Sequence, residues 1–221
     1  HEWGHGFHYY SASGYTDGSI GEGIGDVSSL LLTDDSQLAP YFYKGYSSGI
    51  RNADNSMWYP DDYRSGSVHS NGTIYSGSMW DLWEELENDY GDRQTAQEVL
   101  SQIFADGIKS GPDIPGSYDA MVAADDDDGD LSNGTPHQCA IIEAFGKHGL
   151  GPGGSDEGVL AIEHIPLGNQ LPWRGDHTVT VDIINYAGDC VERAVDSATL
   201  WYSTDGGESW SLMMEGTYSR A

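Results

Sequence analysis

Between residues 72 and 88, Ile74, Met79, Trp80, Leu82, Trp83 and Leu86 recur at helical spacing, with acids flanking them. Apolar positions three and four apart share one helix face, so this stretch predicts an amphipathic helix. Residues 94–105 and 138–148 predict two further helices. From 33 to 64 the chain is rich in Tyr, Ser, Asn and Gly without a steady period, which predicts loop with short elements. Beyond 158 the period falls to two. Residues 178–183 alternate polar and apolar, as a half-buried strand does. Residues 198–203 and 210–213 flank Thr204-Asp205-Gly206-Gly207-Glu208, a hairpin turn between two strands.

Gly149-Leu150-Gly151-Pro152-Gly153-Gly154-Ser155 separates these two regimes and has the composition of a flexible linker. The expected organisation is a mostly α-helical region over 1–150, a Gly-rich linker over 151–158 and a β-rich module over 159–221. The last has the pattern of an antiparallel β-sandwich of immunoglobulin or fibronectin type. Such a module needs about 100 residues, so an incomplete one is expected. The chain opens on His1-Glu2 with no lead-in, and we read it as a piece of a longer protein whose further domains accompany it.

Composition narrows the functional classes. The 221 residues carry 36 Asp+Glu against 9 Lys+Arg, a formal charge of -27. Binding nucleic acid needs a basic face that displaces counterions, so that class is excluded. No apolar run approaches the ~18 residues of a membrane span. The acids are spread along the chain instead of forming a block, so they describe the whole surface. A surface of this kind suits a secreted protein in a salty or calcium-containing medium. Cys139 and Cys190 fit one disulfide or two unrelated thiols.

The first five residues, His1-Glu2-Trp3-Gly4-His5, form an H-E-x-x-H pattern. On a helix, positions i and i+4 lie one turn apart on one face, so both imidazoles reach one metal ion. Glu2 sits beside them, placed to act as a base on water, and zinc is the expected ion. A third ligand is required. The pattern with Gly at 8 and His at 11 fails, because the residues are His8 and Ser11. His8 lies two turns from His1, roughly 10 Å along the axis, which suits packing better than ligation. Glu22, in Gly21-Glu22-Gly23-Ile24-Gly25-Asp26, is the better candidate, and Asp26 shares its helix face. Asp26 is then placed to accept the outer N–H of a ligand histidine. The alternative for these acids is capping a helix start.

These residues resemble the thermolysin-related zinc endopeptidases (gluzincins), and more closely the fungalysin family. Two later stretches carry the same resemblance. Val68-His69-Ser70-Asn71-Gly72 resembles the V-H-x-x-G segment that opens a helix in both families. Ala124-Asp125, then Cys139-Ala140-Ile141 and Ala144-Phe145-Gly146-Lys147-His148-Gly149-Leu150-Gly151, resemble the fungalysin end A-D…C-x-I…A-F-A-x-R-G-L-G. The resemblance implies part of an α+β peptidase fold and hydrolysis of peptide bonds in extracellular proteins. It implies that His1, His5 and Glu22 hold zinc, Glu2 is the general base and Asp26 orients a ligand histidine. His69 matches the histidine that hydrogen-bonds the tetrahedral intermediate. Arg51 resembles the arginine that holds a substrate carbonyl, and Tyr15 a phenol assisting His69, with Tyr9 and Tyr10 nearby. The family's upstream half, with the edge strand for substrate, is missing, so the expectation is that this piece alone is inactive.

Three features stand outside that resemblance. Thermolysin's aspartate five positions before the histidine is replaced by Arg64, with Asp61 and Asp62 the nearest acids. Asp125, Asp126, Asp127, Asp128 and Asp130 crowd a glycine-containing loop, a set of oxygens suited to calcium or simply to solvent. Ser203-Thr204-Asp205-Gly206-Gly207-Glu208-Ser209-Trp210 resembles an Asp-box, a hairpin-stabilising device. The rival functional class is a metal-stabilised binding or adhesion protein that has lost catalysis, with the β module carrying function.

Overall fold

The structure, a computed structural model, describes residues 1–14, 17–152, 160–164, 181–185, 190 and 198–216. The chain divides into two compact units, His1–Cys190 and Val191–Ala221. The first is mostly helical. Its helices are α1 (Glu2–Ser11), α2 (Gly18–Thr33), α3 (Val68–Tyr90), α4 (Arg93–Gly107), α5 (Ser117–Asp125) and α6 (Gln138–Gly146). Between α2 and α3, β1 (Gln37–Leu38) and β2 (Arg51–Asn52) form a two-residue antiparallel ladder that pairs Leu38 with Arg51.

Local chemistry fixes the helix ends. Asp17 caps α2, its carboxylate accepting the N–H groups of Ser19 at 2.8 Å and Ile20 at 3.1 Å. Asp92 caps α4 in the same way through Thr95. α3 ends at Gly91, whose positive φ of 65° turns its N–H back onto the Glu87 carbonyl. α3 is the longest helix among the described residues and packs against α2, α4 and α6. Its buried Ile74, Tyr75, Met79, Leu82, Trp83 and Leu86 form the spine of the core. The ring of Tyr75 meets Phe145 of α6 edge-on, and Tyr118 of α5 meets the same phenylalanine.

Glycine decides how close the first three helices come. A Cβ added to Gly23 of α2 would lie 2.7 Å from the carbonyl oxygen of Gly72 in α3. One added to Gly72 would lie 2.6 Å from the Gly23 nitrogen and 2.8 Å from the Ser19 oxygen. The obstacles are backbone atoms, which cannot rotate away. On another face of α2, a Cβ at Gly4 of α1 would fall 2.8 Å from the Cα of Gly25. α1 and α3 therefore both lie against bare stretches of the α2 backbone.

Two further strands, β3 (Leu160–His164) and β4 (Val181–Asn185), pair antiparallel in the first unit. In the second unit β5 (Ala198–Tyr202) pairs antiparallel with β6 (Ser211–Gly216). Asp205 closes that hairpin, accepting Ser203 Oγ at 2.7 Å and the Ser209 N–H at 2.9 Å, as an Asp-box does. The described strands thus form three separate pairs, and the expected sandwich goes beyond them. Cys139 and Cys190 are joined in a disulfide.

The glycine contacts predict opposite signs for two alanine substitutions. Alanine gains up to ~1 kcal/mol of helix propensity over glycine, and at Gly6, where an added Cβ meets nothing within 4 Å, that gain stands. Gly72→Ala is expected to lose about 1–3 kcal/mol from backbone displacement. Chemical denaturation of the two variants checks this, and equal stability of the two would refute the close crossing.

Candidate metal centre

α1 and α2 bring the centre together. His1 stands at the N-cap of α1 and His5 one turn on. Their Nε2 atoms lie 3.1 Å apart. Glu22, in the first half of α2, sets Oε2 3.2 Å from His1 Nε2 and Oε1 3.7 Å from His5 Nε2. Ligand atoms bonded tetrahedrally at about 2.0–2.1 Å lie roughly 3.4 Å from one another, and these separations bracket that value. Glu22 Oε2 is buried and makes no hydrogen bond, although His69 Nε2 comes within 3.3 Å. A buried carboxylate oxygen without a donor is costly, and a cation removes that cost. Two imidazoles and a carboxylate are the donor set zinc takes. The residues present fit that ion.

Asp26, one turn beyond Glu22, is completely buried. Its Oδ1 lies 2.7 Å from His1 Nδ1, where a carboxylate accepts a proton carried on that nitrogen. The Asp26 hydrogen bond raises the His1 pKa above its usual value, against an opposing effect of burial. Asp26 thus lies against His1, the first histidine of the H-E-x-x-H pattern. Arg51, carried by β2, forks onto the same carboxylate, Nε to Oδ2 at 2.8 Å and Nη2 to Oδ1 at 2.5 Å. Its Nη2 also lies 3.4 Å from His1 Nδ1 and 3.9 Å from Glu22 Oε2. The sequence offered Arg51 only as a substrate contact; the fold ties its guanidinium to Asp26.

The remaining sequence candidates divide. Glu2 is exposed in the first turn of α1, and His69 is 65 % exposed at its side chain in the first turn of α3. Tyr15 lies outside the described residues. His8 is buried against Gly21, where burial and the neighbouring His5 lower its pKa. Asp125 faces inward. Its carboxylate accepts Thr135 Oγ1 at 2.7 Å and the His137 N–H at 2.6 Å, and meets His137 Nδ1 at 2.6 Å. Asp130 accepts the N–H and hydroxyl of Ser132. Asp126, Asp127 and Asp128 are left clustered, with one oxygen of each within 4.8 Å of the others.

Two residues quoted within those motifs have structural parts that the sequence did not reveal. Gly25 admits His1, since a Cβ there would lie 2.8 Å from His1 Nδ1. Asn71 braces the turn before α3, accepting the Arg64 N–H and donating to the Arg64 carbonyl, both at 2.9 Å. The spacing of Gly21, Gly23 and Gly25 around Glu22 was the available signal for the first.

A family model for fungalysin metallopeptidases (M36) matches residues 1–154. The chain belongs to the fungalysin family. Among curated proteins, this fungalysin is similar to extracellular metalloproteinase 2 of Trichophyton tonsurans and to its namesake in Arthroderma benhamiae. Each is 26% identical over 160 residues, covering 61% of this chain and 25% of the relative. The chain thus spans about a quarter of the length of these relatives. No solved structure matches it.

The Asp26 geometry yields a measurable outcome. Removing a carboxylate that holds a ligand histidine typically weakens a metal site 10–100-fold, so Asp26→Ala should weaken zinc binding by about that factor. Competition with a chromophoric chelator reads it. Unchanged affinity would show that His1 needs no such support.

Proposed function

We propose that this fungalysin carries the centre of a zinc-dependent endopeptidase that acts on extracellular proteins. The observation that carries the reading is the convergence of His1 Nε2, His5 Nε2 and a Glu22 carboxylate oxygen within 4.8 Å. Family membership supports a metallopeptidase, and a metallopeptidase acts on polypeptides. His1, His5 and Glu22 hold the metal in this reading. Zinc in such a site polarises a carbonyl and lowers the pKa of a bound water to about 7.

The chain's own groups do the rest. Glu2 takes a proton from the attacking water and hands it to the leaving amine. His69 donates a hydrogen bond to the oxygen that gains charge, a contribution of about 3 kcal/mol for a well-placed donor. Asp26 holds His1 in one tautomer, and Arg51 holds Asp26 while its remaining N–H groups are available to a substrate carbonyl. Tyr15 assists His69. The Asp126–Asp128 cluster takes calcium in this reading, and a melting curve unmoved by calcium withdrawal with zinc retained would remove that part.

Secretion fits the same picture. The similar fungal proteins are named as extracellular. The Cys139–Cys190 disulfide belongs to an oxidising compartment, and no described helix is long and apolar enough to cross a membrane. The competing reading is a metal-stabilised binding protein, which would have no use for a base beside the metal.

Glu2→Gln in the complete enzyme separates the two. Casein hydrolysis should fall by about 10²–10⁴-fold, the usual worth of a general base, while bound zinc stays stoichiometric. Undiminished proteolysis would refute the mechanism, and zinc binding without cleavage by the unmodified enzyme would favour the binding protein.

A further inference from the structure

Residues 39–50 join β1 to β2, and four aromatic side chains on this loop stand in water. Tyr41 is 74% exposed, Phe42 66%, Tyr43 60% and Tyr46 67%. Large aromatics gathered in an exposed patch mark a place where something docks. The loop has its own internal order. Phe42 and Tyr43 meet edge to face with ring centroids 5.1 Å apart. The N–H groups of Phe42 and Tyr46 turn back onto the carbonyls of Ala39 and Tyr43, both at 3.1 Å. Ala39 and Tyr41 hold φ values of 49° and 65°, a region that side chains other than glycine enter at a cost.

The loop is rooted at the metal centre. Ile50 donates its N–H to the Leu38 carbonyl at 2.8 Å, and Gly49 donates to Gln37 Oε1 at 2.9 Å. The next residue, Arg51, is the one that grips Asp26 beside His1. Charge then selects the occupant. Lys44 is the sole charged residue from 39 to 50, in a chain whose formal charge is -27. A second copy of this chain or an anionic membrane would be repelled by the surrounding surface. A neutral or basic unfolded polypeptide would not be.

We propose that the 39–50 loop is a docking surface for the polypeptide being cut, and that it takes aromatic and large apolar side chains of an extended chain at positions away from the cleaved bond. Tyr and Phe rings offer large contact area at small entropic cost. A loop joined to the centre through β2 raises the local concentration of a chain held on it. The inference rests on the endopeptidase reading for the identity of its occupant, and it is tested separately from cleavage.

The complete, zinc-loaded enzyme with Glu2→Gln serves as a non-cleaving receptor. Two fluorescent unfolded peptides of equal length are titrated into it, one rich in Leu, Phe and Tyr, the other with those residues changed to Ser. Changing Tyr41, Phe42, Tyr43 and Tyr46 together to Ser should weaken binding of the apolar peptide by about tenfold and leave the weak binding of the polar peptide unmoved. Phe42→Ser with Tyr46→Ser, which leaves the strained Tyr41 backbone untouched, should give an intermediate loss. Equal affinity for the apolar peptide in all three proteins would overturn the proposal, as would an equal loss for both peptides. With Glu2 intact, the serine loop should raise KM for an apolar polypeptide about tenfold and leave cleavage of a short peptide unchanged. Equal loss on both substrates would show the loop acting on the centre, against docking. If the unmodified enzyme cuts nothing, the endopeptidase reading falls while the binding comparison still decides the docking surface.

Discussion

Backbone contact across α2 sets the positions of everything around the metal centre. A helix normally keeps its neighbours 8–10 Å away with side chains, and here glycines remove those spacers on two faces. Gly4 and Gly25 let α1 down onto α2, and Gly23 and Gly72 let α3 down beside it. Glu22 stands between the two crossings, with His1 and His5 from one side and His69 from the other. The separations of 3.2–3.7 Å between Glu22 and these three histidines follow from those crossings. A methyl group at either crossing would move a whole helix, and with it His1 and His5 or His69.

Electrostatics supplies the second layer. The Asp26 carboxylate is fully buried, and a lone buried charge would destabilise the fold by several kcal/mol. His1 and the Arg51 fork engage both of its oxygens, which offsets that penalty and orients both partners. The surface follows a different rule. Of the described cations, Arg93 pairs with Asp34 and Glu87, and Lys147 with Glu85. Such pairs are few beside the 36 acids of the chain, so the uncompensated charge lies outside the pairs that build the fold.

The long apolar register of α3 was legible in the sequence, because six large side chains repeat on one face, and the helix runs Val68–Tyr90 around the predicted 72–88. α4 and α6 were legible for the same reason. α5 was not, although it is as long as α6; it is held by tertiary contact with α4 and α6. The β1–β2 ladder, two residues a side, leaves no pattern at all. The candidate ligands were readable because a helix converts a spacing of four into proximity. The Arg51–Asp26 fork was not, since 25 residues and a loop separate the partners. Likewise Asp125 was read as part of the Ala124-Asp125 resemblance and as a candidate calcium oxygen, and only the fold reveals its three contacts with Thr135 and His137.

The disulfide between Cys139 and Cys190 closes a ring of chain that contains the glycine-rich stretch after residue 150. Within that ring a single broken peptide bond divides nothing. A nick there would leave α6 and everything to Cys190 in one covalent piece until the sulfurs are reduced. One cut in the glycine-rich stretch therefore has no power to shed the β3–β4 pair while the disulfide holds.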